Sequence, residues 1–247
     1  MMKVGMNEMI QFFRQISGKL SSNIYAGIGG HSTPQQIAFL REIQKEMKQK
    51  SSLDFPLSEL KVVVFDLETT GFYPEQGDYV LSIGAIKMTG QKIETTETFY
   101  SLINSDLPLS DEISALTNLQ EENLRTAPNA SEVLLRFFKF VNGAILVAHH
   151  ANHEQSFMKK MTWDLLRTKF NHRIIDTSFL IRLVDPFMKS SPLEEVCSVC
   201  GIEIIDRHHA LGDAIMTAQI WGYYLEIAQQ EGFIYLRDVY EYLAKLE

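Results

Sequence analysis

The segment that most constrains the fold is a short apolar run that ends in two carboxylates, within the stretch VVVFDLETTG at residues 62–71. The run is mostly β-branched, which is typical of a buried β-strand. Asp66 and Glu68 follow it, and side chains two residues apart in a strand point to the same side. Desolvating two carboxylates beside an apolar strand is costly, so a cation is their natural partner. The alternative that this segment leaves open is a pair of strand-end carboxylates facing water.

The order of patterns along the chain predicts an α/β fold with a mixed β-sheet flanked by helices. Strands come first as hairpins and later alternate with helices, which is typical of a mixed, helix-covered sheet. We expect strands at residues 62–65, 79–88, 93–103, 145–148 and 173–175. We expect helices at residues 129–141, 154–167 and 210–230, with Asp176 capping one more helix.

A further helix is expected after residue 190. Ser191, Pro192 and Glu194 match a capping box with proline at the first helical position, and Gly201 supplies a C-terminal stop. The two cysteines, Cys197 and Cys200, lie on this helix as a C-x-x-C pair. Since no second pair completes a zinc site, simple helix packing is the favoured interpretation.

The length of 247 residues predicts one large domain plus an appendage. Residues 1–60 have the pattern of a helical N-terminal extension and linker, and residues 61–230 form the main domain. Residues 231–247 are expected to form a C-terminal helix packed on that domain. One side of the extension is basic, and it is interpreted either as a solvated face or as a contact for nucleic acid or a partner protein.

The net charge of -8 argues against nucleic acid, because affinity for phosphate backbones comes from Lys and Arg. Residues 125–182 are nevertheless locally basic, so an ordinary surface and a metal site facing an anionic substrate both stay open. The sequence shows no secretory segment and no apolar run of about 18 residues. With only two cysteines, a reduced, cytoplasmic setting without membrane contact is expected.

Two other segments gather polar residues at predicted element ends. In HHALGDA, residues 208–214, His208 lies on a loop and Asp213 in the first turn of the helix that follows. In ILVAHHANHEQSFM, residues 145–158, a buried strand runs into a cluster of histidines and Glu154. A zinc site there would need His150 and His153 to converge, and no cysteine is near. A ligand site at the carboxyl edge of the sheet is therefore favoured.

Together these three segments resemble the DEDDh family of 3′-to-5′ exonucleases, which includes the proofreading epsilon subunit of bacterial DNA polymerase III, oligoribonuclease and ribonuclease T. FDLETTG matches the first family motif, and His208 followed five residues later by Asp213 matches the third. The resemblance covers roughly residues 61–230. It implies a ribonuclease H-like sheet flanked by helices.

The resemblance also implies a set of site residues. Two divalent metal ions, Mg²⁺ or Mn²⁺, would be held by the four acidic positions, and His208 would act as general base. The acidic positions are Asp66, Glu68, Glu154 and Asp213. The expected substrate contacts are Thr69, Gly71, Phe72 and His149. For Phe72, packing in the core is an equally open interpretation.

The second motif departs from the family pattern. Residues 149–154, HHANHE, stand where the family has histidine, asparagine, alanine, any residue, phenylalanine and aspartate. Glu154 keeps the charge of that aspartate but adds a methylene, which moves the carboxylate by on the order of 1 Å, and such a misplacement can cost about a hundredfold in rate.

The function implied is release of nucleoside 5′-monophosphates from the 3′ ends of single-stranded DNA. A DNA polymerase or a replication or repair protein is expected as partner through the N-terminal extension. One alternative is an exoribonuclease that acts on RNA or oligoribonucleotides. Another is a catalytically weak protein that keeps the fold and binds nucleic-acid ends or a polymerase. The charge of -8 argues little against either enzyme, because bound metal ions would offset the four site carboxylates.

Overall fold

The computed structural model describes residues 52–185, 188 and 190–245. The helices predicted within residues 1–50 lie outside this part of the chain. The described part begins with two short 3₁₀ turns, Ser52–Asp54 and Leu57–Glu59. None of the helices formed by the described residues is both long and apolar enough to cross a membrane.

The described residues form one five-stranded mixed sheet, as the sequence predicts. The strands are β1 (Lys61–Thr69), β2 (Val80–Thr89), β3 (Lys92–Leu102), β4 (Ile145–Ala148) and β5 (Ile174–Asp176). Their order across the sheet is β3-β2-β1-β4-β5. The first three strands pair antiparallel, while β4 lies parallel to both β1 and β5. The carboxyl ends of β1, β4 and β5 therefore meet at one edge of the sheet.

Helices connect the strands and cover the sheet. They are α1 (Asp111–Thr117), α2 (Glu121–Arg125), α3 (Ala130–Val141), α4 (Asn152–Leu166), α5 (Ser178–Ile181), α6 (Leu193–Cys200), α7 (Ala210–Gln230) and α8 (Leu236–Leu243). The pair α1 and α2 was not predicted from the sequence. The 3₁₀ turn Pro74–Gln76 lies in the loop between β1 and β2.

The two faces of the sheet pack against different helices. Alternate β1 residues Val63, Phe65 and Leu67 are buried in the cluster formed with α3 and α4. Val62 and Val64 are buried in the second cluster, which contains residues of α6, α7 and α8. Because side chains alternate along a strand, Asp66 and Glu68 fall on the same face as Val62 and Val64. The acidic pair is therefore on the face that α7 covers.

A glycine lets α7 approach that face closely. Gly84 on β2 pairs directly with Asp66 on β1. A Cβ built on Gly84 would lie 2.2 Å from the backbone carbonyl carbon of Ala210, the first residue of α7. Only a residue without a side chain fits at this contact. The contact places the first turn of α7 over the carboxylates of β1.

Two predicted element boundaries need correction. Strand β1 runs to Thr69, so Asp66 and Glu68 lie within it, and the irregular pairing comes after Glu68. Helix α4 begins at Asn152, two residues before the predicted start, and therefore includes Glu154 in its first turn. Gly201 ends α6 in the left-handed conformation as expected, with φ of 67°.

The predicted capping box of α6 is wrong. Pro192 is itself the N-cap residue, and no side chain caps this helix. The shift by one residue takes Ser191 out of the cap position. Glu194, the expected capping partner, instead accepts a hydrogen bond from Arg207 Nε at 2.7 Å.

The end of the described chain packs against its beginning. Leu236, Val239 and Leu243 of α8 are buried in the same cluster as Leu57 and Leu60. The Leu57 amide donates to the carbonyl of Ile234 at 2.8 Å. Both segments adjoin the start of β1, whereas the acidic residues lie toward its other end.

Candidate active site

Three of the four acidic residues expected at the site meet where α7 crosses β1. Asp66, Glu68 and Asp213 each offer a carboxylate oxygen, and these oxygens lie within 4.8 Å of one another. Asp66 and Glu68 share a face of β1, and Asp213 lies in the first turn of α7. Glu68 and Asp213 are buried. Residues that are far apart in the sequence thus form one compact cluster of negative charge, which is called the carboxylate cluster below.

Burial raises the pKa of each carboxyl in the cluster, and repulsion within the cluster adds to this effect for Asp66 and Glu68. The pKa of Glu68 rises to about 7 because the group is buried and lies near the charge of Asp213. The pKa of Asp213 rises to about 6, again chiefly because of burial. The pKa of Asp66 lies well above its ordinary value because of burial and the charges of Glu68, Asp213 and Glu154. A divalent cation would remove this repulsion.

Glu154 approaches the cluster from α4. Its side chain is 3% exposed, and its charge raises the pKa of Asp66. Burial, Asp176 and Glu68 raise the pKa of Glu154 well above its ordinary value. Asp176 holds the chain that leads into α4, because its Oδ2 accepts the Ala151 amide at 2.7 Å. Glu154 is therefore next to the cluster, although it is not one of the three residues within 4.8 Å.

Two buried carboxylate oxygens fit a cation. Asp213 Oδ1 and Glu154 Oε2 have no hydrogen-bond partner within the described part of the chain. Buried polar atoms are almost always paired, so such oxygens point to a partner outside the protein. Hard carboxylate oxygens are the ligands that Mg²⁺ and Mn²⁺ prefer. The residues present therefore suit a divalent metal ion.

His208 lies on the loop before α7, as predicted. Its φ of 63° is in the left-handed region, and its amide donates to Asp213 Oδ2 at 3.3 Å. Its Nδ1 lies 3.3 Å from Arg207 Nη1. Burial and the charge of Arg207 lower the pKa of His208 to about 4, so the ring is neutral near pH 7.

His149 has both ring nitrogens engaged within the protein. Its Nδ1 is 2.7 Å from Thr177 Oγ1, and its Nε2 is 2.9 Å from the carbonyl of Ser191. Because a carbonyl only accepts, Nε2 carries the proton and Nδ1 accepts from Thr177. The ring ties the end of β4 to two other segments. This arrangement fixes the position of the ring, and the substrate contact expected from the sequence stays a prediction.

The three histidines of the second motif do not form a metal cluster. Within the described ranges the carboxylate cluster is the one group that has metal-binding geometry. His153 instead places its Nε2 3.2 Å from Thr69 Oγ1, which donates to the carbonyl of Gly71 at 2.7 Å. His153 therefore links α4 to the end of β1. It takes a polar role where the family pattern has phenylalanine.

Three of the expected substrate residues lie at the end of β1 and on the loop that follows it. Phe72 is 42% exposed, and its ring makes a T-shaped contact with the His153 ring, with the ring centroids 5.5 Å apart. Gly71 is buried against Asp78, whose Oδ2 accepts the Tyr73 amide at 2.8 Å. Thr69 thus ends the strand that carries Asp66 and Glu68, and Gly71 and Phe72 follow it.

Two features next to the cluster were missed in the sequence. Arg207 forms an ion pair with Asp213 as well as with Glu194. A counter-charge was to be expected for buried carboxylates, and Arg207 directly precedes the predicted His208. Tyr100 of β3 stacks on His209 with ring centroids 4.4 Å apart. No sequence pattern indicates this stacking, because it depends on the position of α7 over the sheet.

Comparison with known proteins identifies the family. The family model described as Exonuclease matches residues 63–221. A DNA polymerase III PolC-type protein of Caldanaerobacter subterraneus subsp. tengcongensis is 34% identical over 189 residues, covering 76% of this chain but 13% of that protein. DNA polymerase III subunit epsilon of Aquifex aeolicus is 33% identical over 185 residues, covering 75% of this chain and 89% of the relative.

Solved structures agree on the fold. The nuclease domain of 3′hExo, a DEDDh family member bound to rAMP, aligns with a TM-score of 0.59 and 18% identity, over 70% of this chain and 95% of that one. E. coli Exonuclease I with a dT13 oligonucleotide aligns with a TM-score of 0.58 and 13% identity, over 70% of this chain and 42% of that one. Since the family match runs from β1 into α7 and includes the carboxylate cluster and Glu154, the chain belongs to the exonuclease family and has the fold of a DEDDh nuclease.

Proposed function

We propose that the chain is a metal-dependent 3′-5′ exonuclease that releases nucleoside 5′-monophosphates from the 3′ end of single-stranded DNA. The observation that carries this proposal is the meeting of Asp66, Glu68 and Asp213 oxygens within 4.8 Å at the edge of the sheet. Glu154 is buried beside them, and His208 is on the adjacent loop. The exonuclease family match supports the reaction class.

Each site residue has a chemical task in this proposal. Asp66, Glu68, Glu154 and Asp213 would hold two divalent ions, Mg²⁺ or Mn²⁺. Bound metal ions stabilise charge on the attacking and departing oxygens of a phosphodiester. His208, which is neutral near pH 7 because its pKa is about 4, would accept the proton of the attacking water. Its low pKa makes it a weak base in the metal-free protein.

The substrate would lie along the loop that follows β1. Thr69 ends the strand that carries Asp66 and Glu68, Gly71 follows it, and the exposed ring of Phe72 would stack on the terminal base. His149 would act indirectly, by fixing the end of β4. Single-stranded DNA is the proposed substrate because the DNA polymerase relatives are closer in sequence than the structural neighbours.

The partner and setting are proposed on the same relatives. A DNA polymerase, or another replication or repair protein, is the partner class that the polymerase III names suggest. We propose residues 1–60 as the tether to it, with 61–230 as the nuclease domain and 231–247 as its C-terminal helix. A cytoplasmic setting remains the expectation from the two free cysteines.

The test compares three substrates with and without EDTA. The full chain is incubated with Mn²⁺ or Mg²⁺ and 5′-labelled single-stranded DNA, duplex DNA or short RNA. A ladder that shortens from the 3′ end of the single strand, and that EDTA abolishes, is the expected result. Asp66→Asn serves as the matched inactive variant. The same product ladder from Asp66→Asn would show that the activity comes from elsewhere.

Two other outcomes correspond to the alternatives. Faster digestion of RNA than of DNA would identify an exoribonuclease, for which 2′-hydroxyl contacts would be needed. The absence of metal-dependent digestion, with binding to single strands retained, would identify a binding protein that keeps the fold. Glu154, which replaces the family aspartate, is the residue that favours this last alternative.

A further inference from the structure

Arg207 contacts two residues that the proposed function requires, Asp213 and His208. Its Nη1 forms an ion pair with Asp213 Oδ2 and lies 3.3 Å from His208 Nδ1. A guanidinium has donors and no acceptor and stays charged in proteins. His208 Nδ1 must therefore be the acceptor, which leaves no free lone pair on that nitrogen. One side chain thus engages both a candidate metal ligand and the candidate general base.

The guanidinium is anchored on its other side. Arg207 Nε donates to Glu194 Oε1 of α6 at 2.7 Å. Glu194 is available for this bond because it does not cap α6. The Glu194 side chain is 41% exposed, whereas that of Asp213 is 3% exposed. Arg207 therefore bridges a solvent-facing carboxylate and a buried one.

The charge of Arg207 acts on the whole carboxylate cluster. It lowers the pKa of Asp66, Glu68 and Asp213, against the larger effect of burial. A divalent ion at the cluster would meet this positive charge at close range, and Asp213 would be both its ligand and the partner of Arg207. The ion and the guanidinium therefore compete for the same carboxylate group and the same negative potential.

The loop that carries Arg207 is held in an uncommon conformation. Asp206 and His208, on either side of it, have φ values of 50° and 63°. Non-glycine residues adopt such values at a cost, and they persist where surrounding contacts hold them. A Cβ on Gly212 would lie 2.4 Å from the Asp206 carbonyl oxygen, so the loop is pressed against α7. The contacts of Arg207 with Glu194 and Asp213 help to hold it there.

We propose that Arg207 is a positioning residue that serves as the counter-ion of the carboxylate cluster when no metal is bound. When a divalent ion binds, Arg207 releases Asp213 and His208. Its hydrogen bond with Glu194 then keeps the guanidinium beside α6. This inference rests on the proposed function, because it presumes a metal at the cluster. Arg207 thereby stabilises the metal-free site at the expense of metal affinity.

The test measures Mn²⁺ binding to the full chain by isothermal titration calorimetry, together with the midpoint of thermal unfolding in EDTA. Arg207→Gln is expected to bind Mn²⁺ more tightly, on the order of tenfold, because a nearby positive charge is removed. In EDTA the same variant is expected to unfold at a lower temperature. A change that merely damaged the fold would weaken Mn²⁺ binding rather than strengthen it.

Glu194→Gln tests the hydrogen bond between Glu194 and Arg207. This test remains valid even if the Arg207→Gln variant fails to fold. It is expected to weaken Mn²⁺ binding several-fold, because Arg207 then has Asp213 as its remaining carboxylate partner. In the Arg207→Gln background the same change should have little effect, since Glu194 acts through Arg207. Arg237→Gln is the matched control. It removes an equal charge from the exposed pair with Asp54, and Mn²⁺ binding should not change.

The outcomes separate this inference from the proposed function. Equal Mn²⁺ affinity in the wild type and in both single variants would overturn the role of Arg207 and leave the metal site standing. Equal effects of Glu194→Gln with and without Arg207 would also overturn it. Absence of Mn²⁺ binding in the wild type and in every variant would overturn the metal site and, with it, the inference.

Discussion

Gly84 and Ala210 are in backbone contact, with 2.2 Å between the position of a Cβ on Gly84 and the Ala210 carbonyl carbon. Gly84 pairs across the sheet with Asp66, and Ala210 begins the helix whose first turn holds Asp213. The contact therefore sets the distance between two members of the carboxylate cluster. It explains why the strand beside β1 carries a glycine at this point.

Gly84→Ala is expected to destabilise the protein by about 1–3 kcal/mol, the usual cost of forcing an extra carbon into a packed site. It should also weaken Mn²⁺ binding, because α7 must move away from β1. Chemical denaturation and calorimetry measure the two effects. Gly222→Ala, farther along the same helix with its nearest contact at 3.4 Å, is the matched control. A Gly84→Ala variant as stable as Gly222→Ala would contradict the close contact.

The residues of the candidate site could be found from the sequence because each lies in a local pattern. The apolar run before Asp66 predicts a strand, and period-two alternation places Glu68 beside it. The loop and helix start in HHALGDA place Asp213 in a first turn, which the structure has. That these two segments meet does not follow from either pattern, and it was supplied by the family resemblance.

The parts that could not be predicted depend on contacts between distant segments. The capping box expected at Ser191 fails because the helix begins one residue later and Glu194 bonds Arg207 instead. The hydrogen bond of His149 Nε2 needs the carbonyl of Ser191, which lies more than forty residues away in the sequence. Helices α1 and α2 were missed because they are short, at seven and five residues.

The contribution of Glu68 to the stability of the metal-free protein should fall as pH rises through the range in which this residue ionises. Its pKa is about 7 in the folded protein, against an ordinary value of 4.5. Asp213, with a pKa of about 6, acts in the same sense. A carboxyl with a raised pKa binds its proton more tightly when folded, so its stabilising contribution is lost as pH rises through that pKa.

The wild-type pH profile also contains an opposite contribution from buried histidines whose pKa values are lowered to about 4. They favour folding as the unfolded chain loses its histidine protons, around the ordinary histidine pKa of 6.5. They are His149, His153, His172 and His208. The effect of Glu68 is therefore measured as the difference between the wild type and Glu68→Gln in thermal unfolding in EDTA between about pH 5 and about pH 8, and the wild type should lose stability relative to the variant as pH rises. A difference that does not change with pH would contradict the raised pKa.

Substitutions at Glu154 test whether the second motif is correctly assigned. Glu154→Asp restores the family residue on the same helix turn and should keep or raise the rate of hydrolysis. Glu154→Ala should lower it by on the order of a hundredfold, because one ligand of the proposed metal site is lost. Glu154→Gln keeps the shape and removes the charge, which separates electrostatics from packing. Wild-type activity in Glu154→Ala would remove Glu154 from the site.

Phe72→Ala tests whether the aromatic ring beyond β1 binds the substrate or merely packs. The ring is 42% exposed and makes a T-shaped contact with the His153 ring, so part of its surface is accessible from solvent. Stacking of a base contributes about 1–3 kcal/mol, so KM for single-stranded DNA should rise by roughly fivefold to a hundredfold with little change in kcat. Trp163→Ala removes a similarly exposed ring near the far end of α4 and should leave KM unchanged. Unchanged KM combined with a lower unfolding temperature in Phe72→Ala would show that the ring serves the core, because lost packing weakens the fold without touching the bound base.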